Sequence, residues 1–317
     1  MGQYILKRIG AMVLTMFIII SLAFVVLRLM PGSVYDNPDL PEEIIAALEE
    51  KAHLNDPLIV QYFYYWKGIL LEGDWGVSVK LEPSVPIWKV IKDRIPVTLS
   101  LNICSLLVSI PIGLLCGTIA ALKKSKMPDH ILSLMVVLFI SVPSFVFASL
   151  LQYFMAGKLG MFPIVYSSTQ GFGVKVASMV LPVIALALHP IANITRYLRG
   201  ELIETMSSEF MLLARTKGLN KAQAITRHAF RNSMVPIANI IIPMFTHVMG
   251  GSLVIEQIFS IPGVGGIITK SVNARDHWLT MAALIFYAAI NLVTHLVVDI
   301  SYGIIDPRIR LGGHQDD

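Results

Sequence analysis

Three polar side chains on an otherwise apolar stretch are the residues most able to do chemistry. Asn291, His295 and Asp299 recur at every fourth position, which stacks them on one face of a helix. An imidazole between an amide and a carboxylate can relay a proton or wall an aqueous path. The plainer role is hydrogen bonding between helices, about 0.6–2 kcal/mol per contact. His189, Asn193 and His247 pose the same choice. No H-E-x-x-H or comparable spacing joins the histidines, so no metal site is indicated.

Enzymatic chemistry finds less support. No G-x-S-x-G occurs, and the serines near Pro143 have no histidine or paired carboxylate at a recognisable spacing. GVGGIITKS from Gly263 to Ser271 approaches a phosphate loop, but Thr269 stands before Lys270 where that loop requires glycine.

The elements that must position these groups are membrane helices. The 317 residues are 55% hydrophobic and 15% charged, with mean hydropathy +0.69, outside the soluble range. Crossing a hydrocarbon core takes about 20 helical residues. Residues 9–29, 97–122, 131–155, 174–198, 234–255 and 279–304 supply six such spans. The first follows Lys7 and Arg8 but is longer than a secretory apolar core and has no small-x-small cleavage site after it, so it is expected to be retained. Pro111, Pro143, Pro182, Pro190, Pro236 and Pro243 fall in the spans, each removing a backbone donor and inviting a kink that can open a pathway.

Basic residues concentrate at Lys123, Lys124 and Lys126, between Arg196 and Arg231, and at Arg308 and Arg310. That distribution places both termini in the cytoplasm and leaves residues 31–96 as an outer insertion. The net charge of +4 then reflects topology, and no nucleic-acid partner is implied. Within the insertion, 41–53 has helical spacing and 57–71 is rich in Tyr and Trp. Both read as short helices at the outer membrane surface, the aromatic rings forming an interfacial belt rather than a ligand cage. Cys104 and Cys116 lie about 18 Å apart along one helix, too far for a disulfide.

The inner segments are too short for a nucleotide-hydrolysing domain, the largest being about 35 residues against roughly 50 for a domain. We therefore expect one transmembrane domain over residues 1–317, with 196–235 as its cytoplasmic contact segment. That segment holds the largest basic island, EFMLLARTKGLNKAQAITRHAFRNSMVP from Glu209 to Pro236. It reads as two helices broken at a glycine. Ser207 is expected to cap the first with Glu209 near its positive end, Gly218 to supply a left-handed turn, and Asn220 with Gln223 to open the second. No internal repeat is apparent, which disfavours an ion-driven secondary carrier built from inverted halves, although His295 and Asp299 would be its coupling groups.

ARTKGL around Gly218 and the following RHAFRNSMVP resemble the cytoplasmic signature of binding-protein-dependent ABC importer permeases, most closely the dipeptide, oligopeptide and nickel branch. KRIGAMVLTMFIIISLAFVVLRLMPG, GDWGVS, EQIFSIPGVGG and the closing DPRIR agree with it, so the resemblance runs from end to end. It departs from the general importer pattern at Leu212 and Leu213, where Glu and Ala are usual, while Ala214 and Gly218 agree with it. The acidic contact attributed to that glutamate is not carried over.

The resemblance implies an all-α integral membrane fold of the type I importer kind, with six transmembrane helices in a bacterial cell membrane. It also implies a second, related permease completing a heterodimeric pore, two cytoplasmic ATPase subunits and an extracytoplasmic solute-binding protein. No cofactor is expected on this chain, ATP and Mg belonging to the partners. The cargo implied is short peptides, with nickel, glutathione or another small solute as alternatives. ATPase coupling is assigned to Leu212, Leu213, Ala214, Arg215, Lys217, Gly218, Leu219, Asn220 and Lys221, with the three leucines as anchors. The pathway or gate is assigned to Pro143, His189, Asn193, His247, Glu256, Pro262, Asn291, His295 and Asp299.

Overall fold

A computed structural model describes residues 2–36, 41–246 and 253–305, and these are helical almost throughout. In hydrocarbon no water can satisfy backbone groups, so an apolar run closes its own hydrogen bonds as helix. In chain order the helices are α1 (Gly2–Leu29), α2 (Glu42–Lys51), α3 (Leu58–Lys67), α4 (Ile87–Leu122), α5 (Met127–Ser141), α6 (Ser144–Leu151) and α7 (Phe172–Met206). There follow α8 (Glu209–Thr216), α9 (Lys221–Ala224), α10 (Phe230–Thr246), α11 (Leu253–Ile258), α12 (Ile267–Asn273) and α13 (His277–Ile305). Wide π-type turns at Gly68–Glu72, Gln152–Lys158 and Ile225–Ala229 extend α3, α6 and α9.

Among the described residues four helices, α1, α4, α7 and α13, are long and apolar enough to cross a membrane. They coincide with the expected spans at 9–29, 97–122, 174–198 and 279–304. The span expected at 131–155 is instead a broken pair, α5 and the α6 segment meeting at 101°. Pro143 causes the break. Its ring forces Val142 into an extended conformation (φ −92°, ψ 125°) and α5 stops one residue earlier. Pro182 and Pro190 lie inside α7, and Pro236 and Pro243 inside α10, without ending them. The span expected at 234–255 falls on α10 and α11, with 247–252 outside the described residues.

The chain groups into two compact units. The first comprises Met1–Val97 and Pro262–Leu296. Its core sets Phe24 of α1 and Tyr65 of α3 against Met281 and Ile285 of α13, and a second cluster gathers Ile87, Ile91, Val264, Ile267 and Leu279. Asp276, fully buried, ties the loop after α3 to the start of α13. Its Oδ2 accepts from Ser78 Oγ at 2.6 Å and from the backbone N–H groups of Val79, Lys80 and Leu81 at 3.1–3.3 Å, while Oδ1 accepts from Leu279 N–H. A carboxylate taken from water is held by such a ring of donors.

The second unit comprises Thr98–Ile261 and Val297–Asp317. Here α4 and α7 approach until glycine is the only residue that fits. A Cβ on Gly113 would lie 2.8 Å from Ile194 Cβ, and one on Gly117 2.9 Å from Leu198 Cβ. This is the small-xxx-small contact by which membrane helices gain dispersion energy without a hydrophobic effect. Thr195 Oγ1 adds a hydrogen bond to Gly113 O across the same contact, at 3.3 Å. Cys104 and Cys116 are free, and both are half-exposed rather than buried.

Candidate functional site

The segment after α7 is built as a rigid corner. α8 ends in a Schellman arrangement: Leu219 N–H donates to Ala214 O (3.3 Å) and Gly218 N–H to Arg215 O (3.0 Å), with Gly218 at φ +92°. Two residues later a capping box starts α9. Asn220 Oδ1 accepts from Gln223 N–H at 2.9 Å, and Gln223 Oε1 accepts from Asn220 N–H at 3.1 Å. The cap expected of Ser207 is not made. Ser207 closes α7, donating its hydroxyl to Ile203 O and Glu204 O, and Ser208, at the N-cap position of α8, donates to Thr205 O. The residues named for this corner therefore divide into an inner and an outer set.

Met211, Ala214, Ala224, Ile225 and Ala229 are buried against Leu198, Leu202 and Ile237, and Leu219 packs on the same cluster. Leu219 is thus an inward staple rather than an outward anchor, as the hydrophobic contact of a Schellman turn requires. On the opposite side Leu212 and Leu213 are 65% and 55% exposed, flanked by exposed Arg215, Lys217, Gly218, Asn220 and Lys221. Among the described residues nothing covers these two adjacent leucines, which sit amid cations. From α9 the backbone continues helically through Ile225–Ala229 into α10, so the corner and α10 form one helical run.

An ion pair invisible to sequence reasoning fixes the preceding helix. Arg199 of α7 donates Nε to Asp129 Oδ1 at 2.5 Å and an Nη to Oδ2 at 2.8 Å, and Ser125 N–H donates to the same Oδ2. The carboxylate is 3% exposed and the guanidinium about one third. Seventy residues separate the partners and no motif announces them.

The pathway candidates are only partly brought together. His189 and Asn193 of α7, with Pro190, line a cavity of about 480 Å³ closed by Asn102 and Ser105 of α4 and Pro243 and Met244 of α10. Its polar groups are uncharged amides, a hydroxyl and an imidazole. Such a lining offers hydrogen bonds to amide groups and holds no carboxylate, ammonium or guanidinium. Asn102 and Ser105 escaped notice, although Thr98, Asn102, Ser105 and Ser109 follow helical spacing on one face of α4.

Glu256 is 2% exposed and accepts from Thr98 Oγ1 at 2.8 Å. Pro143 and Pro262 are exposed. On α13 Asn291 and His295 are exposed and Asp299 half-buried, with Asn291 Nδ2 donating to Tyr287 O. His247 and the closing DPRIR run lie outside the described residues.

The family model described as "Binding-protein-dependent transport system inner membrane component" matches residues 109–311. A companion model, "Binding-prot-dependent transport system membrane comp, N-term", matches residues 1–102. The chain is 39% identical to the dipeptide transport system permease protein DppB of Lactococcus lactis subsp. cremoris, covering 98% of this chain and 100% of that one. It is 35% identical to DppB of Bacillus subtilis (98% and 99%) and 36% identical to the oligopeptide transport system permease protein OppB of Salmonella typhimurium (98% and 100%).

Proposed function

Because the chain belongs to the binding-protein-dependent transport system inner membrane component family, we propose that it is the permease subunit through which an ATP-driven importer moves short peptides. It is a multi-pass membrane protein and a transport subunit, not an enzyme. The observation that carries the peptide assignment is end-to-end identity of 35–39% to dipeptide and oligopeptide permeases.

In this reading a second permease completes the pore, two cytoplasmic ATPases supply the work and an outer binding protein delivers the peptide. Both termini face the cytoplasm. Leu212 and Leu213, ringed by Arg215, Lys217 and Lys221, enter a groove on an ATPase, while Ala214, Gly218, Leu219 and Asn220 hold the corner that presents them. Burying two leucines that are more than half exposed gives the contact its apolar centre, and the cations form its rim.

Peptide passes along the cavity at His189 and Asn193, with Asn102 and Ser105 as further hydrogen-bonding groups. Asn291, His295 and Asp299 on α13 are assigned to a pathway wall. Glu256, held by Thr98, is assigned to a gate; Pro262 remains a gate candidate on its own.

The test is reconstitution of the chain with its partner permease, both ATPases and the binding protein in vesicles. ATP-dependent, vanadate-sensitive accumulation of a labelled dipeptide is expected. Uptake by this chain alone, or uptake driven by an ion gradient, would overturn the reading.

A further inference from the structure

Arg28 ends α1 with its guanidinium between two aromatic faces, 5.3 Å from the Phe24 ring centre and 5.2 Å from that of Trp278. Among the described residues no carboxylate pairs with it. A partly desolvated cation without a counter-ion costs several kcal/mol, which an anion brought to it would offset. Beside these two rings, the N–H edge of the guanidinium is the side suited to a planar oxyanion.

That side chain lines two cavities, one of about 860 Å³ and one of about 290 Å³, which share Gln61 as well. The charges around the larger one do not balance. Arg28, Lys51, Lys67 and Lys80 face only Glu72 and Asp74. Lys67 is engaged with Glu72 at 3.4 Å, Lys80 Nζ donates to Asp36 O, and Asp74 Oδ1 accepts from Gly76 N–H. Burial raises the phenol of Tyr65 above the usual tyrosine range and raises that of Tyr35 as well, so neither supplies a negative charge at neutral pH. A volume of about 860 Å³ exceeds any single side chain or small ion and falls within the range of pockets that enclose small molecules. Walls of Tyr64, Trp75 and Trp278 suit apolar side chains of varied shape without selecting one.

We propose that this cavity binds the terminal carboxylate of a short peptide, with the N–H edge of Arg28 receiving the carboxylate and the aromatic walls accommodating the peptide side chains. The site rests on the peptide reading above and gives it an outer reception point separate from the cavity at His189 and Asn193. Lys51, at the rim, adds positive charge that draws the anion in.

The probe is dialanine against dialanine amide, titrated into the purified membrane complex in nanodiscs of neutral phosphatidylcholine. The readout is tryptophan emission, since Trp75 and Trp278 line the cavity. Saturable quenching by dialanine is expected, with the amide at least tenfold weaker. Arg28→Gln should remove that preference, so that acid and amide bind alike. Arg28→Lys, which keeps the charge but loses the planar fork, should reduce it at least threefold and serves as the deciding variant if Arg28→Gln does not assemble.

Equal binding of acid and amide by the wild type, or an acid preference that survives both substitutions, would overturn the site. So would quenching that phosphatidylglycerol in the nanodisc saturates and dialanine then fails to change, which would assign the cavity to a lipid headgroup. Failure of the intact transporter to accumulate any peptide sinks the transport reading instead, and leaves the acid-versus-amide result standing on its own.

Discussion

Arg199 holds Asp129 through two hydrogen bonds of 2.5 and 2.8 Å, linking the C-terminal part of α7 to the first turn of α5. Removing one partner strands the other. Because the guanidinium is one third exposed, the loss should fall below the range for fully buried pairs, at about 2–3 kcal/mol. Asp129→Ala and Arg199→Ala should each lower the melting temperature of the detergent-solubilised complex, and the double variant should fall no further than the worse single one. Additive losses would show that the two groups do not act as a pair.

Gly218 has φ +92° and nothing within 4 Å of the position a Cβ would occupy, so any substitution there is resisted by backbone strain alone. Gly218→Val should cost about 1–2 kcal/mol in the corner and lower peptide uptake per ATP hydrolysed in reconstituted vesicles. Gly218→Asn, which tolerates left-handed backbone, should retain most of the ratio. Equal behaviour of the two variants would remove the hinge argument.

Leu212 and Leu213 are exposed in this chain, and a charge there should leave α8 folded. Leu212→Asp and Leu213→Asp are expected to weaken ATPase binding at least thirtyfold, the scale of a hot-spot loss of about 2 kcal/mol, read by co-purification of the ATPase subunits. Leu219→Asp should act differently, by disrupting the cluster beneath the corner and lowering stability. Retained ATPase binding in both exposed variants would relocate the contact.

Where α4 meets α7, there is no room for a methyl group. Gly113→Ala and Gly117→Ala should each destabilise by about 1–3 kcal/mol, seen as a lower melting temperature, because Ile194 and Leu198 must shift. Gly200→Ala, at a glycine of α7 with open space around it, is the control expected to change nothing or to stabilise slightly.

Much of this architecture was legible because membranes make the code simple: apolar length gives the helix. Four apolar spans followed from that alone, and Gly218, Asn220 and Gln223 followed from local turn chemistry. The bent span was misjudged because an apolar run does not reveal which proline breaks it. Pro143 ends its helix, while Pro182 and Pro190 do not. Ser207 was misplaced by one residue, since two adjacent serines compete at the junction of α7 and α8. Leu219 was turned the wrong way because leucine spacing within one corner does not state which side the core lies on. The Arg199–Asp129 pair was out of reach, being a contact between distant positions with no local signature. The Gly113–Gly117 stripe could have been read from spacing alone.

The helical run from Lys221 to Thr246 has no loop between its capped start and the apolar body of α10. At 1.5 Å per residue it is a strut of roughly 39 Å, stiff along its axis and anchored at its near end by reciprocal side-chain bonds. If the corner is where a partner pushes, a displacement of its capped end would pass into α10 along continuous helical backbone, and Pro236 and Pro243 mark where that run could bend.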